Sequence, residues 1–223
     1  MPRKPRPSAE RRTAASRPDA LEMLVRGARE AVQWAAPPAL ARFGACWPRR
    51  AARARGAPAP SRPTALPVLR WLPVAIREMR TRGDPLAEVL ARAAPRLRWR
   101  QTYGAGEVGA RFLANYAWSE LIGSGGPFRS RILACGLLLL GPRTHYPRHR
   151  HPAEELYLPL AGTAAWQRGS AQGRRVPPGR PILHRSGQPH AIRTGRAPLL
   201  ALYVWRGAGL SQRARLDGGK PGD

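Results

Sequence analysis

The 223 residues suit one ordinary domain with appendages, and a 43% hydrophobic content is enough for a real core, which excludes a wholly disordered chain. The 39 basic against 13 acidic residues give a formal charge of +26, a balance that ordinarily points to nucleic acid. Only Lys4 and Lys220 are lysines, however, so the excess is arginine, accompanied by 25 prolines and 23 glycines. That is the mark of a general compositional drift, and nucleic acid is not the expected partner.

Residues 1–18 are rich in Arg, Pro and Ser without a hydrophobic period and read as a disordered basic tail. No apolar run follows the basic N-terminus, so it does not look like a secretory signal. The longest apolar stretch, Ile132 to Leu140, falls far short of the ~20 residues of a membrane-spanning helix. A cytoplasmic location without membrane contact is expected. Asp19 with Glu22 resembles a capping box, and Leu21, Leu24, Val25, Ala28, Val32 and Ala35 keep helical spacing until Pro37-Pro38. Residues 48–63 read as a flexible Arg/Pro-rich linker. A second helix is predicted from about Leu66 to Arg80, kinked or restarted at Pro73, and a third between Asp84-Pro85 and Pro95. A weaker one is predicted from Glu107 to about Leu121. The helical portion is thus expected to cover 19–122.

Beyond Gly123 the apolar runs become short and are punctuated by Gly and Pro, which argues strands. The candidates are Ile132–Leu140, Glu155–Leu160, Thr163–Arg168, Pro181–His184, His190–Thr194 and Leu199–Trp205, enough for a small sandwich or barrel over 123–210. Residues 211–223 read as a frayed polar tail. Cys46 and Cys135 have no metal-ligand spacing and read as free thiols.

The five histidines, His145, His149, His151, His184 and His190, all fall in this β region, and the only carboxylates between Leu121 and Leu216 are Glu154 and Glu155 beside them. Imidazole with carboxylate is the ligand set for Zn, Fe, Mn or Ni. His149 and His151, two apart in an extended segment, leave the same face of a sheet. Glu155 follows a Pro152-Ala153 bend, Tyr157 shares its side of the strand, and His190 would arrive from a neighbouring strand. The alternative is a solvated basic loop whose histidines are incidental.

The run HRHPAEELYLPLAG, residues 149–162, matches the first cupin motif. Gly179, Gly187 and His190 match the second, with Arg143, Arg185 and Thr194 standing where the motifs have Gly, Pro and Asn. Within that superfamily, GLLLLGPRTHYPRHRHPAEELYLPLAG, the later PHAIRT and the ending PLLALYVWRG resemble the cupin-type dimethylsulfoniopropionate lyases of the DddL/DddQ group, over roughly Asn115 to Gly207. The resemblance implies a mainly β protein, a single cupin (a double-stranded β-helix or jelly-roll barrel) with an α-helical N-terminal portion. It implies a divalent transition metal (Zn, Fe, Mn or similar) held by His149, His151, Glu155 and His190, with Tyr157 as catalytic base in a β-elimination that yields dimethyl sulfide and acrylate.

The substrate implied is a small sulfonium carboxylate. Because a sulfonium has no hydrogen-bond donor, an aromatic wall suits it, and Tyr116, Tyr146, Trp166, Tyr203 and Trp205 are available. Tyr146 and Trp166 are the preferred pair, with Tyr203 beside them. His145 would fix Tyr146 or the substrate, and His184 would enter the barrel only in a favourable strand register. A homodimer through the N-terminal helices is conceivable for a cupin. Two rival functions remain at this stage: a metal-dependent cupin acting on another small carboxylate (lyase, isomerase or dioxygenase), and a ligand sensor whose basic residues 1–62 contact nucleic acid.

Overall fold

The computed structural model describes residues 19–35, 38–47 and 65–217, so the expected tail 1–18 and linker 48–63 lie outside the described residues. The first helix, α1, spans Ala20–Ala35 and opens with the Leu21 N–H donating to Asp19 Oδ1 at 2.8 Å, as the capping pattern predicts. A short α2 follows at Ala41–Ala45. Pro67–Trp71 forms a 3-10 turn and α3, Leu72–Thr81, follows with Pro73 in its first turn, the restart expected near there. The next helix, α4, covers Leu86–Ala93 and closes before Pro95.

The remaining elements are β1 (Trp99–Arg100), α5 (Ala105–Leu113), β2 (Tyr116–Gly123), β3 (Phe128–Arg129), β4 (Leu133–Leu140), β5 (His145–Arg150), β6 (Glu154–Ala161) and β7 (Ala164–Arg168). After these come β8 (Arg174–Val176), β9 (Ile182–His184), β10 (His190–Thr194), β11 (Leu199–Arg206) and β12 (Arg215–Leu216). One sheet runs β1-β2-β4-β11-β6-β9, with β3 beside β2, and the other β12-β5-β10-β7-β8. Two antiparallel-rich sheets enclosing one core make the cupin barrel.

The expected helix over Glu107–Leu121 is corrected. The α5 backbone leaves helical geometry at Gly109 (φ 76°, ψ 154°), and the chain from Tyr116 onward is β2, paired along its length with β4. Tyr116, Trp118 and Glu120 alternate with Ala117, Ser119 and Leu121, so the period is two and the second set lies buried on the helix side. The sheet therefore begins before Gly123. The tail is also corrected in part, because β12 pairs with β5 and Asp217 bridges Arg148 at 3.0 Å and Arg150 at 2.9 Å.

The large sheet carries two cores. Leu133, Cys135, Leu137 and Leu139 of β4, Leu156, Leu158 and Leu160 of β6, and Leu200, Leu202 and Val204 of β11 pack with Leu24, Ala28, Phe43, Met79 and Leu90 of the helices. On the other face Leu138 and Leu140 join Tyr116, Tyr146, Tyr157, Trp166 and Tyr203 inside the barrel. This two-sided burial is why β4 reads as an unbroken apolar run. Cys46 and Cys135 are free thiols.

The motif departures are accommodated locally. Arg143 takes the left-handed conformation (φ 51°) where the motif has Gly, the one non-glycine with positive φ among the described residues. Thr194, in place of Asn, receives the Thr144 N–H at 2.8 Å and donates to the Gly141 carbonyl at 2.7 Å. Arg185, in place of Pro, donates its N–H to Gln188 Oε1 at 3.0 Å.

Candidate metal centre and substrate pocket

His149 sits near the end of β5, His151 just past it, Glu155 at the start of β6 and His190 at the start of β10. The pairing of β5 with β10 sets His149 opposite His190. A carbonyl oxygen only accepts, so each imidazole that touches one must donate through the atom in contact. Nδ1 of His149 meets the Pro147 carbonyl at 2.8 Å, that of His151 the Ala153 carbonyl at 3.0 Å, and that of His190 the Gln188 carbonyl at 2.9 Å. In the neutral rings this leaves the Nε2 lone pairs for the barrel interior.

His151, Glu155 and His190 place one donor atom each within 4.8 Å of one another, and all three are buried. His151 Nε2 lies 2.9 Å and His190 Nε2 3.2 Å from the same Glu155 oxygen, the latter without hydrogen-bond alignment. Two neutral Nε2 lone pairs facing one carboxylate oxygen repel unless a proton or a cation lies between them. The donor set therefore fits a divalent metal. The three-donor group does not include His149, whose ring stacks on Tyr146 (4.1 Å, 16°) and meets the His190 ring edge-on at 4.1 Å.

Burial pushes the Glu155 carboxyl up, but His151 and His190 outweigh it and hold the group well below the usual carboxylate range. Its second oxygen accepts the Trp205 indole N–H at 2.6 Å, and Trp205 stacks on His151 at 4.0 Å. Burial, and then the electrostatic influence of the neighbouring His190, keep the His149 ring well below the ordinary histidine range, as a neutral donor requires.

A pocket of about 410 Å³ opens on this group, lined by Glu155, Tyr157, Tyr146, Tyr203 and Trp205, by Trp118 and Glu120 of β2, and by the segment 210–214. Tyr157 lies two residues beyond Glu155 on the inward face, and burial and the Glu155 charge hold its phenol well above the ordinary tyrosine range. Tyr146 and Tyr203 line the pocket. Trp166 does not: it is buried behind Tyr157, ring centres 4.9 Å apart, facing a second pocket lined by Arg168, Arg174, Arg175 and Arg180. His145 is also corrected, because strand alternation puts it exposed on the outer face beside Arg193 while Tyr146 turns inward.

The register of β6 with β9 sets His184 opposite Glu155, so its ring does enter the barrel, stacked on His190 (4.0 Å, 13°). Burial pulls it down to about 2 and keeps it neutral. Trp118, Glu120 and the 210–214 wall were absent from the sequence reading. The alternation within β2 was the available signal for the first two; the wall carries none.

The dimethylsulfoniopropionate lyase family model matches residues 49–201, more than half of the chain. The chain is 39% identical over 179 residues to dimethylsulfoniopropionate lyase DddQ of Ruegeria pomeroyi, 75% of this chain and 87% of that protein. The chain belongs to the dimethylsulfoniopropionate lyase family. It is also 38% identical over 125 residues to the putative lyase DddL of Cereibacter sphaeroides, 55% of this chain and 51% of that one. Among solved structures it resembles DddQ from Ruegeria pomeroyi (TM-score 0.71, 32% identity, 92% of this chain and 98% of that one). It likewise resembles a structure from the study of the lyases RdDddP and RnDddQII (TM-score 0.73, 34% identity, 89% and 98%). No helix among the described residues is long and apolar enough to cross a membrane.

Proposed function

We propose that this pocket cleaves dimethylsulfoniopropionate by β-elimination, a carbon–sulfur lyase reaction that releases dimethyl sulfide and acrylate. The observation that carries the reading is the convergence of His151, Glu155 and His190 on one point beside Tyr157, in a chain of this family. These three residues would hold a divalent transition metal, with His149 as a further ligand after rotation of its ring. Bound there, such an ion supplies a Lewis acid for the substrate carboxylate and spreads the charge that develops as the carbon-2 proton departs.

The chain's own groups do the rest. The Tyr157 phenolate oxygen takes the carbon-2 proton, the carbon-2 electron pair becomes the new double bond to carbon 3, and the carbon–sulfur pair leaves on dimethyl sulfide. Burial beside Glu155 keeps this phenol protonated until positive charge nearby offsets that carboxylate, which ties the base to a loaded site. Trp205 holds Glu155 in place, and the aromatic walls exclude water from the reacting carbons.

Headspace dimethyl sulfide and acrylate, measured with metal content on one purified sample, test the proposal. Tyr157→Phe is expected to keep its metal and lose about 10²- to 10⁴-fold in turnover. His151→Ala and Glu155→Ala should lose both metal and product. Bound metal without product from the unmodified protein would overturn the substrate assignment, and a Tyr157→Phe enzyme that keeps most of its activity would overturn the base.

A further inference from the structure

With 39 basic and 13 acidic residues, any carboxylate sheltered from solvent is expected to have found a cationic partner. Among the described residues all but one of the carboxylates that are not exposed have done so: Asp19 with Arg96, Glu78 and Asp84 with Arg82, Glu154 with Arg42, Asp217 with Arg148, and Glu155 with its histidines. The exception is Glu120, half-buried on the wall of the active-site pocket and without an ion pair within 4.0 Å. One of its oxygens accepts the Gly125 N–H at 2.7 Å. Burial pushes its carboxyl up, while that N–H and the more distant Arg100 and Arg129 draw it back.

The sheet register fixes the face this side chain is on, and its carboxylate lies against Gly123 and Gly125 on the pocket wall. Glu120 lies opposite Gly136, Gly136 opposite Tyr203, and Tyr203 opposite Tyr157, one rung across four strands. A Cβ at Gly136 would sit 2.7 Å from the Tyr203 hydroxyl and 2.1 Å from the Ser119 carbonyl, so the bare glycine is what lets the Tyr203 ring lie over this rung. Trp118 and Trp205 add two more aromatic walls. Of the two arginines that line the pocket, Arg213 pairs with Glu107 and the Tyr103 ring, and Arg100 donates to the Gly125 carbonyl at 3.2 Å and lies over the Trp118 ring, acting on Glu120 only from beyond ion-pair distance.

We infer that Glu120, backed by Trp118 and Tyr203, is the counter-charge that receives the onium end of the substrate, so that the pocket selects zwitterions over uncharged thioethers of the same shape. The inference rests on the lyase reading of this pocket and adds to it a specificity residue. A trialkyl sulfonium has no N–H or O–H donor and a charge that no loss of a proton from sulfur can remove, so π-faces and a fixed negative charge are the groups suited to recognise it. Its carboxylate end belongs to the histidine cluster. Tyr157 stands between the ends, on the Glu120 rung and two residues from Glu155.

The test uses the metal-loaded full chain and two probes that each carry one end of the substrate. Trimethylsulfonium chloride is titrated by calorimetry against a sodium chloride control, and acrylate is titrated separately. Glu120→Gln keeps an oxygen for the Gly125 N–H and removes only the charge. It is expected to weaken trimethylsulfonium about tenfold or more and to raise the KM for dimethylsulfoniopropionate by a similar factor, with acrylate binding unchanged. Glu120→Asp should recover part of the loss.

Equal trimethylsulfonium binding by the unmodified protein and Glu120→Gln overturns the inference, as does a parallel loss of both probes. If the unmodified protein binds trimethylsulfonium through Glu120 yet releases no dimethyl sulfide, the lyase reading falls and this one stands. Should Glu120→Gln fail to fold, Trp118→Leu reads the same split: trimethylsulfonium weakened with acrylate intact supports the inference, and any other pattern overturns it.

Discussion

Trp205 donates its indole N–H to the Glu155 oxygen that faces away from the histidines, and so sets the angle at which the carboxylate meets them. Trp205→Phe keeps the stacking surface on His151 and deletes that one bond. Metal affinity should fall about 10- to 100-fold, measured by competition with a chelator, the usual cost of removing an outer partner of a ligand. Arg143 makes the opposite prediction. It holds a left-handed conformation that its Cβ disfavours, so Arg143→Gly should raise stability by up to about 1 kcal/mol, read from the thermal midpoint. The histidines and Glu155 were legible in the sequence because their chemistry is dense and their spacings short. Glu120 was harder to read, since in a stretch read as helix its only signal is the alternation around it, and its place on the Tyr203 rung comes from the strand register alone.

Element boundaries tell where sequence patterns decide and where tertiary contacts do. The strands β4, β6, β7, β9, β10 and β11 were legible because Gly and Pro punctuate them, whereas β5 and β8 are too polar to announce themselves and β2 follows α5 without a breaker, its apolar residues fitting either period. The two-residue β12 owes its form to β5 and to the Asp217 ion pairs, which no local signal foretells. Between layers, Glu154 at the head of β6 clasps Arg42 of α2 and Arg206 of β11. The Arg42 hydrogen bond, outweighing burial, with Arg206 adding to it, holds its carboxyl below the ordinary range. A depressed carboxyl stabilises the fold above its unfolded value, and that contribution fades as pH falls through the folded one. Because all three side chains are partly exposed, Glu154→Gln should cost only about 0.5–1 kcal/mol near neutrality. The gap to the unmodified protein should close in denaturant titrations carried below the usual carboxylate range.

At the scale of the whole molecule, the helical layer is half of a core and not a detachable cap. Leu133, Leu137, Leu139, Leu200, Leu202 and Val204 face it, each worth about 1.5–3 kcal/mol in burial. A chain shortened to begin at residue 97 should therefore aggregate, visible in size-exclusion chromatography as loss of the soluble peak.

The same arrangement divides β4 between two tasks. Its odd-numbered residues, 133 to 139, support the fold, while Ala134 and Leu138 line the pocket and Gly136 between them lies opposite Tyr203. A scan of substitutions along this one strand would beat with a period of two, survival lost at one position and substrate preference altered at the next. Selection on heat tolerance and selection on diet would thus write on alternate letters of the same eight-residue word.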